Sequence, residues 1–217
     1  PFACGAAVAN RGVHVLASAG DGATFSEGIN HLVHAIRNNY DVTFILHNNS
    51  NYGLTTGQPS ATTRKGQHMN LAPDGVFLEP INALEFALSL NPTFAARTFS
   101  GNVNQMTEII RAGIQHKGFS FIEVLQHCPS YNKATPHEWY QERVYDTLDI
   151  EEYDNSNLAW AKILAADLDH KIATGILYQR TDAADFLGMQ AARKGITTEL
   201  VNEVGPVDVT PLVGMFR

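Results

Sequence analysis

The chain of 217 residues is 44% apolar and 17% charged, long enough to bury one substantial core with an appendage. Its net charge of -7, from 15 basic and 22 acidic residues without a block of Lys and Arg, argues against a nucleic-acid surface. No apolar stretch approaches the roughly 18 to 20 residues that cross a bilayer, which argues against a membrane protein and for a soluble, cytoplasmic one.

Apolar periodicity predicts a strand at Gly12–Ala19, a helix at Phe25–Asn38, a strand at Asp41–His47 and a helix at Ile81–Leu90. A strand at Phe94–Phe99, a helix at Val103–His116 and a strand at Phe119–Leu125 follow. Strand and helix alternate, so the expected class is α/β, a doubly wound and mostly parallel sheet with helices on both faces. In the first helix Phe25, Ile29, Leu32, Val33 and Ile36 share a face, and Thr24 and Ser26 are the expected caps. The Asn-, Gly-, Thr- and Pro-rich stretch from Asn48 to Pro80 is too long for an ordinary connection and reads as functional. After Cys128 the composition shifts: a helix is expected at Leu158–Leu168, a strand at Thr174–Tyr178 and an extended tail at Val201–Arg217 that docks on a neighbour. The expected organisation is a binding domain over residues 1–133 and an appendage over 134–217.

Two loops carry the chemistry. In open α/β sheets ligands lie beyond the carboxyl ends of strands, where both Gly20-Asp21-Gly22 and Asn48-Asn49-Ser50-Asn51 fall. Glycines allow close backbone approach, and free N–H groups near Thr24 suit a phosphate, which Asp21 alone would repel. A divalent cation between them removes the repulsion, because Mg²⁺ takes hard oxygen ligands: the Asp21 carboxylate, the Asn49 amide oxygen and the Asn51 carbonyl. Gly-Asp-Gly by itself is more often only a turn, as Asn-Asn is only a loop start. The 25 residues between Gly22 and Asn48 fit one helix and one strand, which return the second loop beside the first.

This pairing of Gly-Asp-Gly with a later Asn-Asn resembles the diphosphate-binding fingerprint of thiamin diphosphate enzymes. The continuation from Asn51 through Tyr52, Gly53, Leu54, Thr55, Gly57, Gln58, Ser60, Thr62 and Thr63 is similar to the "YGxTxGQxSxTT" stretch of 2-oxoacid:ferredoxin oxidoreductase beta subunits. Pro1–Gly5 with Ala9-Asn10 resembles the small-residue helix before the family's Gly-Asp-Gly strand, and Glu27–His31 resembles its "GGNH" segment. His127-Cys128-Pro129-Ser130-Tyr131-Asn132 is similar to its "CPxYN" motif. The resemblance implies thiamin diphosphate bound at Gly20, Gly22, Ala23, Gly53, Leu54 and Thr55, with Mg²⁺ held by Asp21, Asn49 and Asn51.

It also implies that Cys128 is one of four thiolates on a 4Fe-4S cluster. Cys4 and Cys128 are the chain's two cysteines, too few for a disulfide framework, and Cys4 stands where the family has a small residue. The family's other cysteines, a CPGC motif among them, lie upstream of where Pro1 aligns, so the chain is expected to lack an N-terminal segment. Two further departures are Ala23, where the family reads Asp, and Asn48-Asn49, where it reads Asp-Asn. Asn51 replaces a usually apolar residue and is the ligand most tolerant of substitution.

The implied activity is CoA-dependent oxidative decarboxylation of a 2-oxoacid, with electrons passed to ferredoxin, by a beta subunit in a hetero-oligomer or dimer. Its partner is an alpha subunit, which holds the pyrimidine-binding domain. No catalytic residue is assigned: Glu27 reads as a cap or surface group, His31, His34 and His47 as satisfied or solvated histidines, and Met69 and Phe77 stay unassigned. Two alternatives remain open, a two-chain non-oxidative thiamin diphosphate decarboxylase subunit and a non-catalytic cofactor-binding assembly subunit.

Overall fold

A computed structural model describes residues 1–216. Six strands form one sheet in the order β1-β2-β4-β3-β6-β5. They are β1 (Leu16–Gly20), β2 (Thr43–Asn48), β3 (Phe94–Phe99), β4 (Ser120–Leu125), β5 (Val144–Asp146) and β6 (Ile172–Gln179). β1, β2, β4 and β3 run parallel, β6 lies antiparallel to β3, and β5 runs parallel to β6. The strand expected at Thr174–Tyr178 thus extends the sheet begun by the N-terminal half.

The helices are α1 (Phe2–Ala9), α2 (Ile29–Arg37), α3 (Ala83–Ser89), α4 (Val103–Gln115), α5 (His137–Gln141), α6 (Leu158–Ala166) and α7 (Thr210–Gly214). One core layer joins Leu32 and Ile36 of α2, Leu84 and Leu88 of α3 and Ala161 of α6 to Phe119 and Phe121. The opposite layer sets Ile109 of α4 on Phe94, Ala96, Ile122 and Val124. Helices therefore cover both sheet faces, and β3 and β4, buried along their whole length, read as near-continuous rather than alternating strands. Asn82 and Asn102 cap α3 and α4 by accepting the N–H groups of Glu85 and Gln105.

Four expectations are corrected. β1 begins at Leu16, not Gly12, because it is an edge strand whose pairing starts where Leu16 meets Thr43. The helix expected from Phe25 is broken: Ala23–Glu27 forms a π-helical turn that ends at Gly28, whose N–H donates to Ala23 O at 2.8 Å. A Cβ at Gly28 would lie 2.8 Å from that same carbonyl oxygen, so the tight turn requires glycine. Neither Thr24 nor Ser26 caps the helix, since the Thr24 hydroxyl donates backward to Gly20 O at 2.7 Å. The tail is not extended throughout, because a 3-10 turn at Leu200–Asn202 and α7 interrupt it. Arg217, the last residue of that expected tail, lies outside the described residues.

Candidate functional site

The parallel register brings the carboxyl ends of three strands together: Gly20 of β1 faces His47 of β2, and Asn48 of β2 faces Leu125 of β4. The loops that follow them hold Asp21, Asn49–Asn51 and Cys128. Between Asn48 and Pro80 the chain has no helix or strand, only isolated bridges at Tyr52 and Gln58 and at Met69 and Ala72.

Asp21 is 1% exposed and receives Ser60 Oγ at 2.5 Å and Thr62 Oγ1 at 2.7 Å. The N–H of Asn49 also points to it. Burial pushes its carboxyl above the usual carboxylate range, and these hydrogen bonds only partly offset the effect. All of those donors are neutral, so the ionised carboxylate is buried against dipoles rather than against a cationic side chain, an arrangement that favours an incoming cation. Asn51 is 4% exposed, and its Oδ1 is buried without a hydrogen-bond partner among the described residues. Its N–H and Nδ2 both donate to Asn49 Oδ1, at 3.2 and 3.4 Å.

The glycines serve close approach. A Cβ on Gly22 would come within 2.4 Å of the Tyr52 ring, whose hydroxyl donates to Gly22 O at 3.2 Å. That contact fastens the second loop onto the first. Ser50, in the left-handed region at φ 56, is held by the Thr63 hydroxyl, which donates to its carbonyl at 2.7 Å.

Beneath the loops lies a polar network that sequence reading did not assign. Thr62 Oγ1 reaches Asn48 Oδ1 at 2.9 Å, Asn48 Nδ2 donates to Glu123 Oε1 at 2.8 Å, and Arg97 Nε donates to Glu123 Oε2 at 2.7 Å. Ser60, Thr62, Asn48, Glu123 and Arg97 are all buried. The one cue for this network was the cluster of hydroxyl residues Ser60, Thr62 and Thr63 in a loop too polar to be a strand.

The expected site residues fall into two groups. Gly20, Asp21, Gly22, Asn49 and Asn51 converge at the strand ends. Ala23, Gly53, Leu54 and Thr55 are exposed, Leu54 at 99%, the last three on the outward tip of the loop. Cys128 is buried, with the Tyr131 N–H pointing at its Sγ at 3.4 Å. Burial pushes its thiol up, but the N–H groups of Asn132, Tyr131 and Ser130 and the Lys133 charge outweigh that and hold it below its ordinary value. Cys4 sits half-buried on α1, and no group of three or more His, Cys, Asp or Glu residues among the described ones could hold a metal ion unaided. Glu27, His31 and His34 are exposed, and His47 is hydrogen-bonded to Ser18 and Gln126. Met69 is buried and Phe77 exposed.

A cavity of about 460 Å³ adjoins the loops, lined in part by Asn48, Thr62, Asn82, Arg64 and Trp139. A larger cavity, about 920 Å³, lies elsewhere, beside Gln105, Asp146 and Tyr153. The unpartnered buried oxygens of Asn51 and Gln67 lie in the Asn48–Pro80 loop and not at that larger cavity.

Comparison with known proteins bears on the same residues. Residues 1–124 match the family model described as thiamine pyrophosphate enzyme, C-terminal TPP binding domain. Residues 128–192 match the model of the C terminal part of the pyruvate ferredoxin oxidoreductase beta subunit. The chain is 34% identical to a 2-oxoacid:ferredoxin oxidoreductase subunit beta of Sulfolobus sp, over 82% of this chain and 61% of that protein. It is 37% identical to one of Saccharolobus solfataricus, over 81% and 56%. It therefore spans less than two thirds of the length of these curated relatives. A solved 2-oxoglutarate:ferredoxin oxidoreductase from Magnetococcus marinus, with 2-oxoglutarate, coenzyme A and succinyl-CoA bound, superimposes with a TM-score of 0.88 at 29% identity. That match covers 100% of this chain and 72% of the other. The chain belongs to the thiamine pyrophosphate enzyme family, in the branch of the 2-oxoacid:ferredoxin oxidoreductase beta subunits.

Proposed function

We propose that the chain is the diphosphate-anchoring part of a beta subunit in a CoA-dependent 2-oxoacid:ferredoxin oxidoreductase. The observation that carries this reading is the buried Asp21 carboxylate, surrounded by neutral donors and accompanied by the unpartnered Asn51 Oδ1. Both are hard oxygen donors, and phosphate oxygens would complete an Mg²⁺ shell. Asp21, Asn49 and Asn51 would hold the metal, with Asn51 offering a side-chain oxygen besides its carbonyl. Gly20 and Gly22 give the backbone approach for the diphosphate, with Ala23 and the Gly53–Thr55 tip at the margin of the site. Thiamin diphosphate, when bound, supplies the carbanion and electron sink for decarboxylation. The chain's own residues fix the anchor: Ser60 and Thr62 orient the carboxylate, and Tyr52 packs the second loop on Gly22.

Cys128 fits one thiolate ligand of a 4Fe-4S cluster, in a pocket of N–H groups that favours the thiolate. The described residues hold Cys4 as their one other thiol, so they do not build a cluster, and no electron-transfer step is assigned to them. The remaining ligands would come from other parts of the whole protein, as would the pyrimidine-side groups from an alpha subunit. Ferredoxin as acceptor, residues 1–133 and 134–217 as cofactor domain and appendage, and a cytoplasmic setting belong to the same reading. Among the described residues no helix is long and apolar enough to cross a membrane.

Calorimetric titration of the complete protein with thiamin diphosphate and Mg²⁺ tests the anchor, and Asp21→Ala should abolish the metal-dependent part. Iron and acid-labile sulfide in that protein, together with 2-oxoacid-dependent ferredoxin reduction, test the oxidative reading. Decarboxylation without either would replace it with the non-oxidative one.

A further inference from the structure

The cysteine loop and the cofactor loop are tied together by one side chain. Asn132, four residues beyond Cys128, is 1% exposed and has both side-chain polar atoms engaged. Its Nδ2 donates to the main-chain carbonyl of Asn49 at 3.1 Å and to Thr135 Oγ1 at 3.2 Å. Its Oδ1 accepts Gln67 Nε2 at 2.9 Å and the Ala134 N–H at 3.2 Å. Gln67 lies further along the same Asn48–Pro80 loop, so Asn132 bridges two separated points of that loop from outside it.

A second contact joins the same two segments. Gly57 has φ +91, and a Cβ there would lie 2.7 Å from Tyr131, the neighbour of Asn132. The backbone of the loop therefore rests directly on the cysteine segment. The N–H groups of Asn132 and Tyr131 in turn favour the Cys128 thiolate. One short segment thus faces Cys128 with its backbone and Asn49 with a side-chain amide.

We infer that Asn132 is a positioning residue that couples the metal-diphosphate anchor to the Cys128 loop, by holding the Asn49 carbonyl so that the Asn49 side chain and the Asn51 oxygens face the metal. This rests on the proposed binding of thiamin diphosphate and Mg²⁺. Coupling of this kind is reciprocal, so ordering either loop orders the other. Groups that orient a metal ligand change metal affinity by about 10- to 100-fold when removed.

Asn132→Asp keeps the acceptor for Gln67 and Ala134 but removes both donated hydrogen bonds, at nearly unchanged volume. In the complete protein, calorimetric titration with thiamin diphosphate and Mg²⁺ should show at least about tenfold weaker binding for Asn132→Asp, measured at a temperature where circular dichroism shows the cofactor-free variant, destabilised by its buried carboxylate, still folded. Thr135→Ala disturbs the same neighbourhood without touching Asn49 and should bind within about twofold of the parent. Hydrogen exchange on the unmodified protein supplies a readout independent of any variant. Adding thiamin diphosphate with Mg²⁺ should slow exchange both at residues 49–51 and at residues 128–132. Parent-like affinity in Asn132→Asp, or protection confined to residues 49–51, overturns the inference and leaves the proposed function standing. Failure of the unmodified protein to bind thiamin diphosphate overturns both.

Discussion

Arg97 and Glu123 lie directly opposite one another on β3 and β4, with Arg97 Nε on Glu123 Oε2 at 2.7 Å and both side chains wholly buried. Glu123 spends its other oxygen on the Asn48 amide, and Arg97 Nη2 reaches Asn82 Oδ1 at 3.1 Å. The pair is thus the floor of the candidate site as well as part of the core. Removing one partner leaves a buried uncompensated charge, so Arg97→Met or Glu123→Leu should each cost about 3–5 kcal/mol. The double variant should recover most of that stability but leave Asn48 without its acceptor. Urea unfolding midpoints of the three variants check the first statement, and thiamin diphosphate affinity of the double variant checks the second.

Asp21 should make the cofactor-free protein less stable than it could be. Burial raises its carboxyl above the ordinary value, so the folded chain binds that proton more tightly than the unfolded chain does. The stability linked to it is full below the ordinary carboxylate pKa and is lost as pH rises through the raised value. Asp21→Asn should therefore flatten this decline and raise neutral-pH stability by roughly 1–3 kcal/mol while removing metal binding. Thermal unfolding in chelator from about pH 4 to about pH 8 decides it, and a variant no more stable than the parent refutes it.

The contact between Gly22 and Tyr52 predicts a paired effect. Gly22→Ala puts a methyl group inside the Tyr52 ring envelope and should destabilise by about 1–3 kcal/mol, because the ring must leave the loop it fastens. Tyr52→Ser in the same chain should relieve the strain without restoring cofactor affinity. Melting temperature and calorimetric affinity, measured on the single and double variants, separate the two consequences.

Tyr153 governs an alkaline limb. Its hydroxyl donates to Leu177 O at 2.6 Å, and burial pushes its pKa up to about 12. Stability linked to the neutral phenol is complete below its ordinary value near 10 and falls as pH rises through about 12. Tyr153→Phe should lose the hydrogen bond at neutral pH, about 1 kcal/mol, yet decline less steeply in alkali. Parallel pH-stability curves for the two proteins would contradict this.

Much of the architecture follows from local pattern, because strand and helix periods are written residue by residue. β2, β3, β4, α3, α4 and α6 lie within about two residues of their expected bounds, since the apolar periodicity of each is set by its own residues. The elements that depart are those set by neighbours: β1 shortened by its edge position, and the first helix broken by a π turn whose crowding requires Gly28. The short α5 and β5 carry too few residues for a period to show.

Sequence by itself singled out the residues proposed to carry chemistry at the strand ends: Asp21 between glycines, the Asn48–Asn51 run and the lone cysteine of the third loop. Only the tertiary structure decided how they are supported. Ser60 and Thr62 reach Asp21 across 39 and 41 residues, Asn132 reaches Asn49 across 83, and Arg97 meets Glu123 across a strand pair. Such partners have no fixed sequence spacing, because parallel strand pairing and loop closure choose them, and each buried polar atom then takes the partner that the fold brings within reach.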